Sequence, residues 1–139
     1  RNIMDLKILE IASHTENNKI LKNFTHKSKN KNPLCGDEME ISLIIENNTV
    51  KDIGYQCKSC IYCQASVSLL SRSVIKVRLN KITNLLKKIE SFFDDDFNFL
   101  KEIKLKNAKN LKEIMNKDNI SRKECLLLPF KTLSKALKL

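Results

Sequence analysis

The sequence predicts an α+β fold, with a short antiparallel hairpin ahead of a run of helices. Three observations carry this reading. Met39, Ile41, Leu43 and Ile45 alternate with Glu40, Ser42 and Glu46, the period-two pattern of a half-buried strand. Farther on, Leu79, Ile82, Leu85, Leu86, Ile89 and Phe93 recur at helical spacing. Only two Gly and two Pro occur in 139 residues, too few for a turn-rich all-β chain.

In chain order, Leu6, Ile8, Leu9, Ile11 and Ala12 mark an amphipathic helix through about Ser13, and Asn17-Asn18 a turn. His14 near that helix end and His26 in a polar stretch read as surface or capping residues. Phe24 to Ser28 is expected to supply a third strand. Asn47-Asn48 tolerates the positive φ of a hairpin turn, and Val50 to Tyr55 returns as the second strand. From Ile61 to Val77 the pattern is helical, with Ala65, Leu69, Leu70, Val74 and Val77 apolar and four serines filling the polar positions. Asp94-Asp95-Asp96 reads as a solvated turn, because no Gly or spaced Glu completes a calcium loop. Residues 97–117 suggest one or two Lys-rich helical pieces. Ser121 and Glu124 fit a capping box, and Pro129, tolerable only in a first turn, predicts that the last helix starts near Leu128.

The length suits one domain, expected over residues 1–139. Hydrophobic residues make up 42% and aromatics 6%, with no Trp, so the expected core is aliphatic. No apolar run is long enough for a membrane span or a secretory segment. The net charge of +10 raises a nucleic-acid reading. Against it, 22 of the 26 basic residues are Lys, spread along the chain rather than clustered with Arg and stacking aromatics. A solvated Lys-rich surface is the better reading, and it could still attract an acidic protein.

Five cysteines is an odd number, which argues against a disulfide framework and for thiols kept for metal binding or reaction. A cytoplasmic location is therefore expected. Cys57, Cys60 and Cys63 stand at i, i+3 and i+6; Cys35 and Cys125 stand alone. The hairpin places Cys35, ahead of its first strand, and Cys57–Cys63, after its second, at one end of the sheet. Cys60 falls at a helix N-terminus, where the dipole favours thiolate. The triple spacing lacks the fourth Cys and the Pro of a bacterial ferredoxin run. Cys57 and Cys63 taken alone read as small buried hydrophobes.

Three segments together carry a more specific resemblance. Asn32-Pro33-Leu34-Cys35-Gly36-Asp37 resembles the Asn-Pro-x-Cys-Gly-Asp motif of the iron–sulfur assembly proteins, the IscU, SufU and NifU N-terminal family. Cys60-Ile61-Tyr62-Cys63-Gln64-Ala65-Ser66-Val67-Ser68 is similar to its Cys-x-x-Ser-x-Ala-Ser-x-Ser motif. Arg122-Lys123-Glu124-Cys125-Leu126-Leu127-Leu128-Pro129-Phe130 is similar to Arg-x-x-Cys-Ala-x-Leu-Pro-Trp. The motifs occur in family order. The 65 residues from Cys60 to Cys125 resemble the long insertion of the SufU branch.

The resemblance implies a small antiparallel sheet packed against several helices. It implies that Cys35, Asp37, Cys60 and Cys125 surround one exposed site holding zinc or a transient [2Fe-2S] cluster. It implies a pyridoxal-phosphate cysteine desulfurase, SufS-like, that delivers persulfide sulfur, with Cys125 as the acceptor, and apo iron–sulfur proteins as recipients. The chain would then act as a scaffold or as a zinc-dependent sulfurtransferase. Three thiolates and a carboxylate suit a tetrahedral site, and the harder carboxylate should exchange more readily than a fourth thiolate. The sequence departs from the family pattern at Cys57 and Ser59, where Gly is usual, and at Cys63, where Ser is usual. Glu124 replaces a His or Lys, and a carboxylate there is expected to raise the pKa of Cys125. The competing reading is a small metal-stabilised basic protein that binds nucleic acid or a protein partner.

Overall fold

The computed structural model describes residues 3–94 and 105–139. Helix α1 (Ile3–Ala12) is followed by a loop and three strands, β1 (His26–Lys31), β2 (Glu38–Glu46) and β3 (Thr49–Lys58). They form an antiparallel meander in the order β1-β2-β3. Helices α2 (Ile61–Val74) and α3 (Leu79–Lys88) come next, then a 3₁₀ turn over Ile89–Phe93. After residue 105 the chain forms α4 (Ala108–Ile114), a second 3₁₀ turn (Lys117–Arg122) and α5 (Lys123–Ala136).

The hairpin is the one the alternation predicts. Glu46 pairs with Thr49 across Asn47 and Asn48, whose φ values are 53° and 58°. Two successive left-handed residues match the right-handed twist of the flanking strands. The third strand lies two residues later than expected, at His26–Lys31. Its sequence, His-Lys-Ser-Lys-Asn-Lys, has no apolar alternation to find. It is an edge strand, and charged residues there discourage pairing with another chain. β3 also runs farther than expected, so Cys57 lies within the strand opposite Met39 rather than after it.

Helices α2 and α5 pack against the sheet and each other, and α1 lies on α2. Ile41, Leu43 and Ile53 of the sheet, Leu69 and Leu70 of α2, and Leu126, Phe130 and Leu133 of α5 are at most 1% exposed. Gly54 permits a close crossing on the way. A Cβ there would stand 2.5 Å from the Lys19 carbonyl oxygen, where the loop after α1 passes over β3.

Two helix ends differ from the sequence reading. α2 stops at Val74 rather than Val77, because the chain turns through Lys76 (φ 65°) and pairs with β3. The Val50 N–H donates to the Val77 carbonyl (3.0 Å) and the Lys76 N–H to the Val50 carbonyl (2.7 Å). α5 starts at Lys123, not near Leu128, and no side chain caps it; Ser121 lies in the preceding 3₁₀ turn. Pro129 sits inside the helix, so the Cys125 carbonyl receives no N–H from it. Burial of Leu126, Leu127, Leu128 and Phe130 and bonds from neighbouring elements hold the segment helical despite the proline. Asp95, Asp96 and the first part of the expected 97–117 helical stretch lie outside the described residues.

Candidate metal centre

The turn between β1 and β2 builds the first half of the site. The Asn32 Oδ1 accepts from the Leu34 N–H (3.0 Å), and the Asn32 carbonyl from the Gly36 N–H (2.8 Å). The Asn32 N–H in turn donates to the Asp37 carbonyl (2.8 Å). Gly36 closes the turn at φ +77°, a conformation that costs glycine little. The result exposes Cys35 and buries Asp37 beneath it, at 6% exposure.

β3 and α2 supply the second part. Cys60 is the N-cap of α2, and its N–H donates to Asp37 Oδ1 (3.2 Å). The other carboxylate oxygen, Asp37 Oδ2, is buried and has no hydrogen-bond partner among the described residues. A buried, unpaired carboxylate oxygen is costly, and a bound cation removes that cost.

α5 brings Cys125. Three contacts fix its position. Ser66 Oγ of α2 donates to the Leu126 carbonyl (2.6 Å), and Ser28 Oγ of β1 to the Thr132 carbonyl (2.6 Å). The Arg122 guanidinium lies 4.9 Å from the centre of the Tyr62 ring, joining the start of α5 to the start of α2. The serines of α2, read from the sequence as its polar positions, are all buried. Their spacing among aliphatic residues, 66, 68, 71 and 73, was the available signal: small hydroxyls allow helices to approach closely and bond across.

Cys35 Sγ and Cys125 Sγ stand 3.8 Å apart. Two thiolates on one tetrahedral zinc, with bonds of about 2.3 Å, are separated by about 3.8 Å. Ligand atoms of Cys35, Asp37 and Cys125 all lie within 4.8 Å of one another. Cys60 is not within that three-residue group, although its backbone holds Asp37 and its thiol neighbours Cys125. Burial, the neighbouring thiols of Cys60 and Cys35, and the Asp37 carboxylate push the pKa of Cys125 well up. Such a crowd of acidic groups is relieved when a cation replaces the protons. The donor set thus fits a thiophilic metal.

The Glu124 carboxylate pairs with Lys131 Nζ at 3.1 Å and is not among the largest influences on the Cys125 pKa. Cys63 is fully buried on α2, and burial drives its pKa up, with Ser59 opposing. Burial also raises the half-buried Cys57. His14 sits beside Glu10 and His26 beside Thr25, so neither histidine belongs to the group.

Comparisons with known proteins bear on the family and the fold. Residues 4–122 match the family described as the NifU-like N terminal domain. The iron–sulfur cluster assembly scaffold protein IscU of Thermotoga maritima is 34% identical over 131 residues, 94% of this chain and 89% of that protein. An uncharacterized protein of Borreliella burgdorferi is 32% identical over 127 residues, 88% and 82% of the two chains. Among solved structures, a candidate scaffold protein for the SUF system from Fervidobacterium islandicum superposes with a TM-score of 0.78. It is 24% identical, with 94% of this chain and 93% of that one covered. A NifU-like N-terminal protein from Brucella abortus gives a TM-score of 0.76 at 20% identity, covering 95% and 90%. These two share the α+β fold. With the family match and a relative aligned along nearly its whole length, the chain belongs to the NifU-like N-terminal domain family.

Proposed function

We propose that this chain is an iron–sulfur cluster assembly protein whose site is formed by Cys35, Asp37, Cys60 and Cys125. It serves as a scaffold on which a [2Fe-2S] cluster is built as cargo, or, loaded with zinc, as an acceptor of sulfur. The observation that carries this reading is the pair of sulfurs at 3.8 Å beside a buried carboxylate, one oxygen of which has no hydrogen-bond partner among the described residues. Family membership and the IscU relative support it.

The roles divide by position. Cys35 is exposed and Cys125 is 8% exposed, so one thiol is open to a visiting partner and the other is held inside. Cys125 is the acceptor that the family resemblance implies, and the exposed Cys35 turn has to give way to open it to the partner. The Cys125 thiolate attacks the outer sulfur of a persulfide carried by a SufS-like, pyridoxal-phosphate cysteine desulfurase. The donor S–S bond breaks, its electron pair leaves on the desulfurase thiolate, and Cys125 holds the new persulfide. A zinc held by Cys35, Asp37, Cys60 and Cys125 would supply the deprotonated sulfur that burial alone would not. Asp37, the harder donor, would be its most readily exchanged ligand. Apo iron–sulfur proteins receive the product. Five free thiols suit a reducing compartment, which supports a cytoplasmic location. Among the described residues no helix is long and apolar enough to cross a membrane.

The test is sulfur transfer itself. Anaerobically purified protein is incubated with desulfurase and cysteine, and persulfide is mapped by mass spectrometry. The expected result is persulfide on Cys125, lost in Cys125→Ser. Persulfide confined to Cys35 would reassign the acceptor. Absence of both persulfide and acid-labile sulfide would overturn the function.

A further inference from the structure

The end of the sheet that carries the Cys35–Asp37 turn also holds a groove of ≈ 560 Å³. Its walls come from residues 29–31 of β1, 38–40 of β2 and 56–58 of β3, with Lys135 of α5 closing one side. Lys29, Lys31, Lys58 and Lys135 line it against Glu38 and Glu40. The two glutamates are already surrounded by positive charge. Glu40 is paired with both Lys27 (3.1 Å) and Lys29 (3.4 Å), and hydrogen bonding to Lys27 holds its pKa below the ordinary value. Glu38 stands in register between Lys31 on one side and Lys58 on the other. Lys135 Nζ donates to the Lys29 carbonyl (2.8 Å), which fixes the groove wall. Cys57 stands between Gln56 and Lys58 at the groove, and its side chain turns to the opposite, core-packed face of the sheet.

We propose that this groove docks an acidic segment of the sulfur-delivering partner, beside the metal centre. This rests on the reading of the chain as a desulfurase client. Charge complementarity selects the occupant. The groove carries four lysines against two glutamates, an excess of positive charge, and an acidic chain is what such a surface attracts. Position gives the docking its use. Asp37 directly precedes Glu38, and Cys60 follows Lys58 by two residues, so a segment seated here is held next to the ligand turn. The net charge of +10 adds long-range attraction that falls as salt rises.

The experiment measures binding of the cysteine desulfurase of the same organism to the zinc-treated protein. It is repeated on Lys31→Glu/Lys58→Glu and on Lys81→Glu/Lys109→Glu, which carries the same charge change on α3 and α4. The groove variant should lose desulfurase affinity by about tenfold or more, the α3/α4 variant far less, with zinc content unchanged in both. Full affinity in the groove variant, or equal losses in both variants, would overturn the groove. No desulfurase binding by the parent protein would instead overturn the reading of the chain as a desulfurase client.

Discussion

Asp37 shows how much a single residue carries at this site. One oxygen is engaged by the Cys60 N–H and the other is buried with no hydrogen-bond partner among the described residues. Removal of a charged ligand should therefore weaken metal binding while relieving the unpaired oxygen. Asp37→Ala is expected to lower zinc affinity by roughly tenfold or more, read by competition with a chromophoric chelator. The metal-free variant should unfold at no lower temperature than the metal-free parent. Glu124 is the contrasting residue. Its position next to Cys125 in the chain suggested an electrostatic burden on the thiol. On a helix, however, adjacent residues point about 100° apart, and Glu124 turns to Lys131. Glu124→Gln should leave zinc affinity unchanged and shift stability by no more than about 0.5 kcal/mol, measured by chelator competition and urea unfolding.

At the scale of elements, the site depends on how α2, α5 and the sheet are fastened. Ser66 satisfies the Leu126 carbonyl in the buried seam between α2 and α5. Ser66→Ala leaves that carbonyl without its partner and should cost about 1–3 kcal/mol in urea denaturation. It should also weaken metal binding, because α5 carries Cys125. β3 contributes a pH-dependent contact. Burial raises the pKa of Asp52, but the hydrogen bonds from Lys19 Nζ (2.9 Å) and from the Ile53 N–H outweigh it, and the net shift is downward. A carboxyl whose folded pKa is depressed contributes stability that is present above its unfolded pKa and lost as pH falls through the folded value. Asp52→Asn should therefore destabilise by roughly 0.2–1 kcal/mol near neutrality, as expected for a partly exposed pair, and the difference should shrink below about pH 4. Urea unfolding of both proteins at several pH values checks this. The elements themselves were unevenly legible. The hairpin and α3 announced themselves by period, whereas β1 is polar throughout and exists because β2 offers it an edge. The early start of α5 was hidden by Pro129, whose local preference is overridden by burial and by the serine contacts from α2 and β1.

For the whole molecule, metal binding at the proposed site would be linked to folding. The proposed ligands come from the β1–β2 turn, the start of α2 and α5, elements 25 and 65 residues apart along the chain at their cysteines. A metal that joins them binds the folded chain and not the unfolded one. At a free concentration a hundredfold above its dissociation constant it should add about 2.7 kcal/mol, and chelation should lower the melting temperature accordingly. The three motifs, in order, nominate Cys35, Asp37, Cys60 and Cys125 as the proposed site, and the fold brings Cys35, Asp37 and Cys125 together. What they did not reveal was the inequality among them. Cys35, Asp37 and Cys125 form the close group, and Cys60 stands at its margin as the residue that holds Asp37. Depth and distance of this kind come from packing between elements far apart in the chain, which no local spacing encodes.

Cobalt(II) titration counts the thiolates on the metal most directly, because the intensity of the sulfur-to-metal charge-transfer absorption scales with their number. One cobalt per chain is expected, with absorption falling by about a third in Cys60→Ser and unchanged in Cys57→Ser and Cys63→Ser. Full intensity in Cys60→Ser, or its loss in Cys57→Ser, would contradict the assignment of this centre.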